Sequence, residues 1–231
     1  MSLHSWQPLS QDGGVLALKY WFGFGSANTV AMRLHDGAWL VISPSVKSPP
    51  EVLDALAAQG PVRALLAPNG FHHLGQPAWR TRFPDAVSYA PAGALDRLRK
   101  KAPDVPFRPA EELSRALPPS VAILQPDGMK APDLMLRWRG GADTVWFTGD
   151  MLSNTTGEDM AAVPRFIFGL LGGKPGYRLN RVPGIVYIKD HATWAASVLK
   201  AFEAAPPTVV IPAHGDPVRD DAMGRSRAIL V

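Results

Sequence analysis

Two of the six histidines, His72 and His73, stand side by side in "ALLAPNGFHHLGQPAW", just past an apolar run that reads as a strand. Two other strand-like runs end in polar groups of related chemistry: "VWFTGD" delivers Asp150 and "VVIPAHGD" delivers His214. In layered α/β proteins, loops past strand ends are where a rigid scaffold places reactive groups. Three imidazoles and one carboxylate suit a divalent ion such as zinc, iron or manganese. The chain has no cysteine, so disulfides, thiolate metal sites and cysteine nucleophiles are excluded. Each group has a plain reading when taken alone. A histidine pair on a loop is exposed or hydrogen-bonded, an Asp after Gly caps a turn, and a His before Gly belongs to a turn. Their coincidence at three apolar strand ends is what favours a metal site.

The elements that must carry these loops are legible in outline. "VLALKYW", Val15 to Trp21, reads as a strand, and "NTVAMRLHDGAWLVISP" as a hairpin about Asp36-Gly37. Pro49 to Gly60 reads as a helix that starts on proline and ends on glycine. "VRALLA" has the unbroken apolar character of a buried strand. "QPAWRTRF" reads as a helix, "AVSYA" as a strand and "AGALDRLRKK" as a helix. A Pro-rich crossing loop, 103–119, carries a short helix around Glu111 to Arg115. "VAILQ" and a second hairpin, "DLMLRW" to "TVWFTGD" about Gly140-Gly141, begin a second half that echoes the first in pattern. Met151 to Gly184 reads as irregular. Asp190 then caps a helix with a Trp194, Val198, Leu199 and Phe202 stripe, and "TVVIP" is the last strand. The expectation is an α/β or α+β fold in one domain, 1–231, with sheets covered by helices.

With 46% hydrophobic and 19% charged residues, the composition is that of a globular chain. "MSLHSWQPLSQDGG" lacks the pattern of a signal peptide, and "FIFGLLGG" is far shorter than a membrane span. A cytoplasmic location without a membrane partner is the expectation. The net charge of +4 is scattered, with one cluster at "RLRKK", so a nucleic-acid partner is not expected. No nucleophile elbow, Walker loop or complete dinucleotide fingerprint occurs. Trp21, Phe22 and Phe24 are expected to pack in the core rather than line a substrate mouth.

The order of these elements resembles the metallo-β-lactamase superfamily over most of the chain. That resemblance implies a four-layer αββα sandwich of two similar halves. "FTGD" is similar to the superfamily's Asp strand, "VVIPAHGDP" to its final His loop, and "LLAPNGFHHLG" to a degenerate H-x-H-x-D-H segment. Pro68 and Gly70 fall where two histidines would stand, His72 where the aspartate would, and His73 on the last histidine. The intermediate histidine falls near Gly128-Met129. The resemblance thus implies a two-metal site reduced to one ion, zinc first and iron or manganese next, held by His72, His73, Asp150 and His214. Asp150 also becomes the catalytic candidate for orienting water, with Asp216 supporting His214. The implied activity is hydrolysis of a small ester, lactone, thioester or amide. The alternative is a non-catalytic binding protein with a vestigial site and no metal.

Overall fold

The computed structural model describes residues 1, 3–170 and 175–231. Part of the "FIFGLLGG" stretch therefore lies outside the described residues.

The first half builds one sheet. Strands β1 (Trp6–Pro8), β2 (Val15–Trp21), β3 (Ser26–Arg33) and β4 (Trp39–Ile42) run antiparallel to one another. Helix α1 (Pro50–Ala57) crosses to β5 (Val62–Leu66), and α2 (Gln76–Arg82) crosses to β6 (Val87–Ala90). Helix α3 (Leu95–Lys101) leads to β7 (Arg108–Pro109), and β4 to β7 pair in parallel. The helix α4 (Ala110–Ala116) ends this half. Antiparallel pairing where hairpins connect and parallel pairing where helices do is what connection length dictates.

The second half opens with β8 (Val121–Leu124), β9 (Met135–Gly140) and β10 (Asp143–Phe147) as an antiparallel unit. Then come β11 (Leu152–Thr155), α5 (Ala162–Leu170), β12 (Gly176–Leu179), α6 (Arg181–Tyr187) and α7 (His191–Ala204). The chain finishes with β13 (Val209–Ile211), β14 (His214–Gly215) and α8 (Ala222–Leu230). β13 joins β10 in parallel, and a small sheet pairs β12, β11 and β14.

Side-chain alternation on the strands sorts these elements into layers. Val15, Ala17, Val30, Met32, Leu40, Ile42 and Leu66 face Leu136, Trp138, Val145, Phe147, Val209 and Ile211 across the space between the two main sheets. The opposite face of the first sheet buries Ala31, Trp39, Val41 and Leu65 under Leu53 and Leu56 of α1 and Trp79 of α2. On the far side, Met135, Trp146 and Val210 meet Trp194, Val198 and Phe202 of α7. The order is helix, sheet, sheet, helix: an αββα sandwich. In α7 the carboxylate of Asp190 accepts hydrogen bonds from the amides of Ala192 and Thr193, so the N-cap is the one the sequence indicates.

Two features depart from expectation. The segment 151–184 is not irregular: it contains β11, α5, β12 and the start of α6 among its described residues. Its strands are only four residues long and its helices carry Pro164 and Pro183, so neither period accumulates enough repeats to be read. Phe22 and Phe24 do not enter the core. Both line a cavity, and Phe24 is exposed.

Candidate metal centre

Three loops meet at one edge of the sandwich, each leaving a strand of a parallel pair or its partner. The loop after β5 bends at Pro68 and turns through 70–75 into α2. The loop after β10 contains Gly149 and Asp150, and the loop after β13 contains Ala213 and His214. Backbone clips join them. Ala213 N donates to Gly149 O (2.9 Å), Asn28 N donates to Ala213 O (2.8 Å), and Leu134 N donates to Pro68 O (2.9 Å). The Asn28 side-chain amide adds bonds to Pro212 O (2.9 Å) and Gly215 O (2.7 Å).

Glycine is required at two points. Gly149 has φ +60°, and a Cβ there would stand 2.5 Å from the Asp133 carboxylate. Gly215 has φ +96°, and a Cβ there would stand 2.1 Å from Asn154 O, because β14 runs hard against β11. The G-D and H-G pairs of the sequence are therefore steric requirements of the two loops.

His72, Asp150 and His214 come together, with one ligand atom of each lying within 4.8 Å of the others. His72 Nε2 is 3.0 Å from Asp150 Oδ1, and His214 Nε2 is 3.3 Å from the same oxygen. Ligand bonds of roughly 2.0–2.1 Å in a tetrahedron give ligand–ligand separations of about 3.3 Å, so these spacings suit a small divalent ion. The remaining atoms of the three side chains are held by other groups. His214 Nδ1 is 2.8 Å from the Ser26 carbonyl, which can only accept, so Nδ1 carries the hydrogen and Nε2 is left for a ligand role. His72 Nδ1 meets Ser43 Oγ at 2.6 Å. Asp150 Oδ2 accepts from Asn69 Nδ2 (2.9 Å) and from the Tyr187 hydroxyl (3.3 Å), which leaves Oδ1 toward the imidazoles. The donor set fits a metal: two imidazole nitrogens and one carboxylate oxygen, each oriented from behind.

His73 is not part of this cluster. Consecutive residues in the 70–75 turn diverge, so only one imidazole of the pair can face Asp150. Burial first, then the neighbouring Arg97, lower the His73 pKa, and Lys101 acts in the same direction. Asp216 does not touch His214 either. Its carboxylate accepts from Lys19 Nζ at 2.8 Å, and the support of His214 comes from Ser26 instead.

A second carboxyl group underlies the first. Asp133 is buried; its Oδ1 accepts from Asn69 Nδ2 (2.8 Å) and its Oδ2 from the Asp150 amide (2.8 Å). Burial and the charge of Asp150 push its pKa well above the usual carboxylate range. At Asp150 burial acts in the same direction, but His72 and His214 outweigh it and hold the pKa well below that range. His214 is raised, because Asp150 outweighs burial. The anion of the centre is therefore Asp150, with Asp133 the group held toward its neutral form. Burial first, then Asp150 and Asp133, push the Tyr187 hydroxyl far upward, so it stays a proton donor. Tyr187→Phe is expected to lower metal affinity about tenfold without changing the fold, read by competition with a chromogenic chelator.

Sequence reasoning missed Asn69, Asp133, Tyr187, Ser26 and Ser43. Asn69 lies in "PNG" and Asp133 in "APD", both of which read as turn chemistry. Ser43 carries a signal visible only in coordinates: it has φ 54° at the end of β4. That conformation costs a non-glycine residue about 1–3 kcal/mol and persists where the surroundings hold it.

Pro68 and Gly70, where the resemblance would put histidines, are enclosed by their neighbours. Pro68 is buried, and the Arg97 side chain lies along Gly70, where a Cβ would stand 2.9 Å from Arg97 Cδ. Arg97 Nε donates to Gly70 O (3.0 Å), and its guanidinium sits 4.0 Å over the Phe71 ring.

The cluster opens into a cavity of about 570 Å³. Tyr20, Phe22, Phe24, Phe71, Val186 and Tyr187 form much of its apolar wall, with Arg165, Arg178 and Arg181 also lining it. A cavity of this size that is mostly apolar, with a few convergent polar groups, is the form of a small-molecule site.

No family model and no curated protein matches the chain in sequence. Solved structures match in fold. A metallo-β-lactamase from Hirschia baltica is 16% identical, with 98% of this chain and 97% of that one covered and a TM-score of 0.57. The metallo-β-lactamase TMB-1 is 11% identical, with 98% and 96% covered and a TM-score of 0.60. A metallo-β-lactamase from Erythrobacter litoralis, solved with β-mercaptoethanol in its active site, is 16% identical, with 97% and 95% covered and a TM-score of 0.58.

Proposed function

We propose that this chain, which has the metallo-β-lactamase fold, is a hydrolase of a small ester, lactone, thioester or amide that works with one divalent ion. The observation that carries this is the convergence of His72 Nε2, Asp150 Oδ1 and His214 Nε2 at the foot of an apolar cavity, each oriented from behind. Zinc is the first choice, because two imidazoles, one carboxylate and an open fourth position are its usual catalytic set; iron and manganese are the alternatives. When bound, such an ion supplies an electrophile for the scissile carbonyl and acidity for an attacking water. The protein supplies the rest. Ser26 and Ser43 hold the two imidazoles in place, Asn69 and Tyr187 fix the Asp150 carboxylate, and Asp150 Oδ1 is turned toward the imidazoles to complete the donor set and orient a water. The aromatic wall keeps bulk water away from the reacting group.

Metal stoichiometry is the test. Protein purified without a chelating tag is expected to carry one divalent ion per chain by elemental analysis and to hydrolyse members of a chromogenic ester, lactone and thioester panel. Two ions per chain would refute the reduced site. His72→Ala is expected to lose the ion, whereas His73→Ala is expected to keep it, because only His72 faces Asp150.

A second reading is a binding protein with a vestigial site. It is favoured by one observation: Asp150 already finds partners in His72 and His214, which balance its charge when protonated. Full-length protein with neither metal nor turnover would support that reading.

A further inference from the structure

Helix α5 is an anomaly for a helix in a sandwich. Val163 is 70% exposed, Phe166 69% and Leu170 74%, and Ile167 is half exposed. Beside it α6 leaves Ile185 75% exposed, with Val186 next to it also exposed. A surface helix normally turns its apolar stripe inward. Here large apolar side chains face out, on two helices at the mouth of one cavity, and Phe24, Phe71 and Leu74 add exposed apolar groups to the same mouth.

The charges on this stretch have one sign. From Met160 to Lys189 the sequence contains Arg165, Lys174, Arg178, Arg181 and Lys189, and neither Asp nor Glu. Arg165, Arg178 and Arg181 line the cavity with the apolar residues.

We propose that the face formed by α5 and α6 docks on an anionic lipid bilayer and opens the cavity toward it. Apolar side chains flanked by arginine are what an interfacial helix uses: the apolar groups enter the acyl boundary while the cations meet headgroup phosphates. A second copy of the chain fits this face less well. A two-fold interface sets the same patch against itself, so a positive patch would face a positive patch with no acid from this stretch to balance it. The expectation of no membrane partner rested on span length. No described helix is long and apolar enough to cross a membrane, but docking on a surface needs no span.

Co-sedimentation with vesicles tests the proposal. The full chain is expected to pellet with phosphatidylcholine vesicles containing phosphatidylglycerol, and to partition about twenty-five-fold less onto phosphatidylcholine alone, the exposed Arg165 and Arg181 contributing about fivefold each. Binding should weaken as salt is raised. The double substitution Phe166→Ser with Ile167→Ser should reduce partitioning at least tenfold at an unchanged melting temperature, because both side chains are exposed. Arg181→Gln should reduce the preference for the anionic vesicles. No pelleting with either vesicle, equal binding to both compositions, or unchanged binding by the double variant would overturn the proposal. A wild-type dimer in sedimentation velocity that the double variant converts to monomer would assign the face to a second copy instead, and would also overturn it.

Discussion

Asp150→Ala is expected to bring metal content and hydrolysis to background together. Asp150 is the only anion of the three-residue cluster, and one of its oxygens faces both imidazoles. Without it, two neutral donors would have to hold a divalent ion at the edge of an apolar cavity, with no charge compensation. The substitution also leaves the Asn69 amide and the Tyr187 hydroxyl without the acceptor they share. A loss of folding is therefore the trivial explanation to exclude, and Asp150→Asn does so. It keeps the shape and an oxygen but removes the charge, so it should stay folded, bind little metal and turn over nothing. Elemental analysis beside a thermal melt reads both outcomes. If Asp150→Ala retained metal and turnover at the wild-type level, the metal centre would be wrong.

The largest expected effect on stability belongs to Lys19→Met. Lys19 leaves β2 with only 7% of its side chain exposed and places Nζ 2.6 Å from Asp159 Oδ1 and 2.8 Å from Asp216 Oδ1. The Asp159 side chain is 3% exposed. Removing the cation would strand a buried carboxylate, a change that costs about 3–5 kcal/mol. At about 2–4 °C per kcal/mol for a chain of this size, the melting temperature should fall by roughly 10 °C.

The pH profile distinguishes this cause from lost packing. Burial alone would raise the pKa of Asp159 and of Asp216, but Lys19, with Ser26 and the Thr156 amide at Asp159 and the Met1 amino group at Asp216, outweighs it and depresses both. For a depressed carboxyl the unfolded chain binds protons first as pH falls. The stabilisation is therefore present above the unfolded value of about 3.9 and is lost as pH drops through the lower folded values. Lys19 is opposed by burial and raised by the two carboxylates, so its share is complete below the unfolded value of about 10.4 and is lost as pH rises through the higher folded one. In Lys19→Met both limbs should flatten, so that the deficit relative to wild type is largest near neutral pH and shrinks toward acid and toward alkali. Urea unfolding across pH reads both limbs, and a profile parallel to wild type would argue for packing alone.

The layers were legible because they rest on long, repetitive signals. Both hairpins announce themselves through a turn between apolar runs, and α7 through its Asp190 cap and stripe. The sequence put His72, Asp150 and His214 after apolar runs, and the structure brings these three side chains together. The sequence could not choose between His72 and His73, because the direction of a side chain in a turn depends on backbone angles that adjacent residues do not display. Nor could it find Ser26, whose contribution is a backbone carbonyl, which every residue has. Asp216 looked like the partner of His214 by nearness in sequence, yet β2 supplies Lys19 from across the sheet and claims it. The stretch from Met151 to Gly184 hid its elements because they are too short for periodicity to accumulate.

The three converging side chains lie far apart along the chain, His72 and Asp150 alone being 78 positions apart. No local segment can assemble them. A nascent chain that had completed only the first sheet would own one imidazole of the set and would hold an ion little better than free histidine does. Ion capture by such a centre would therefore be a late event in folding, slow in the way that long-range contacts are slow. It would bind the native state and scarcely the unfolded one, so added metal should raise the melting temperature in proportion to the logarithm of its concentration once that exceeds the dissociation constant. During refolding, the moment at which a metallochromic dye loses its ion would time the docking of one sheet on the other.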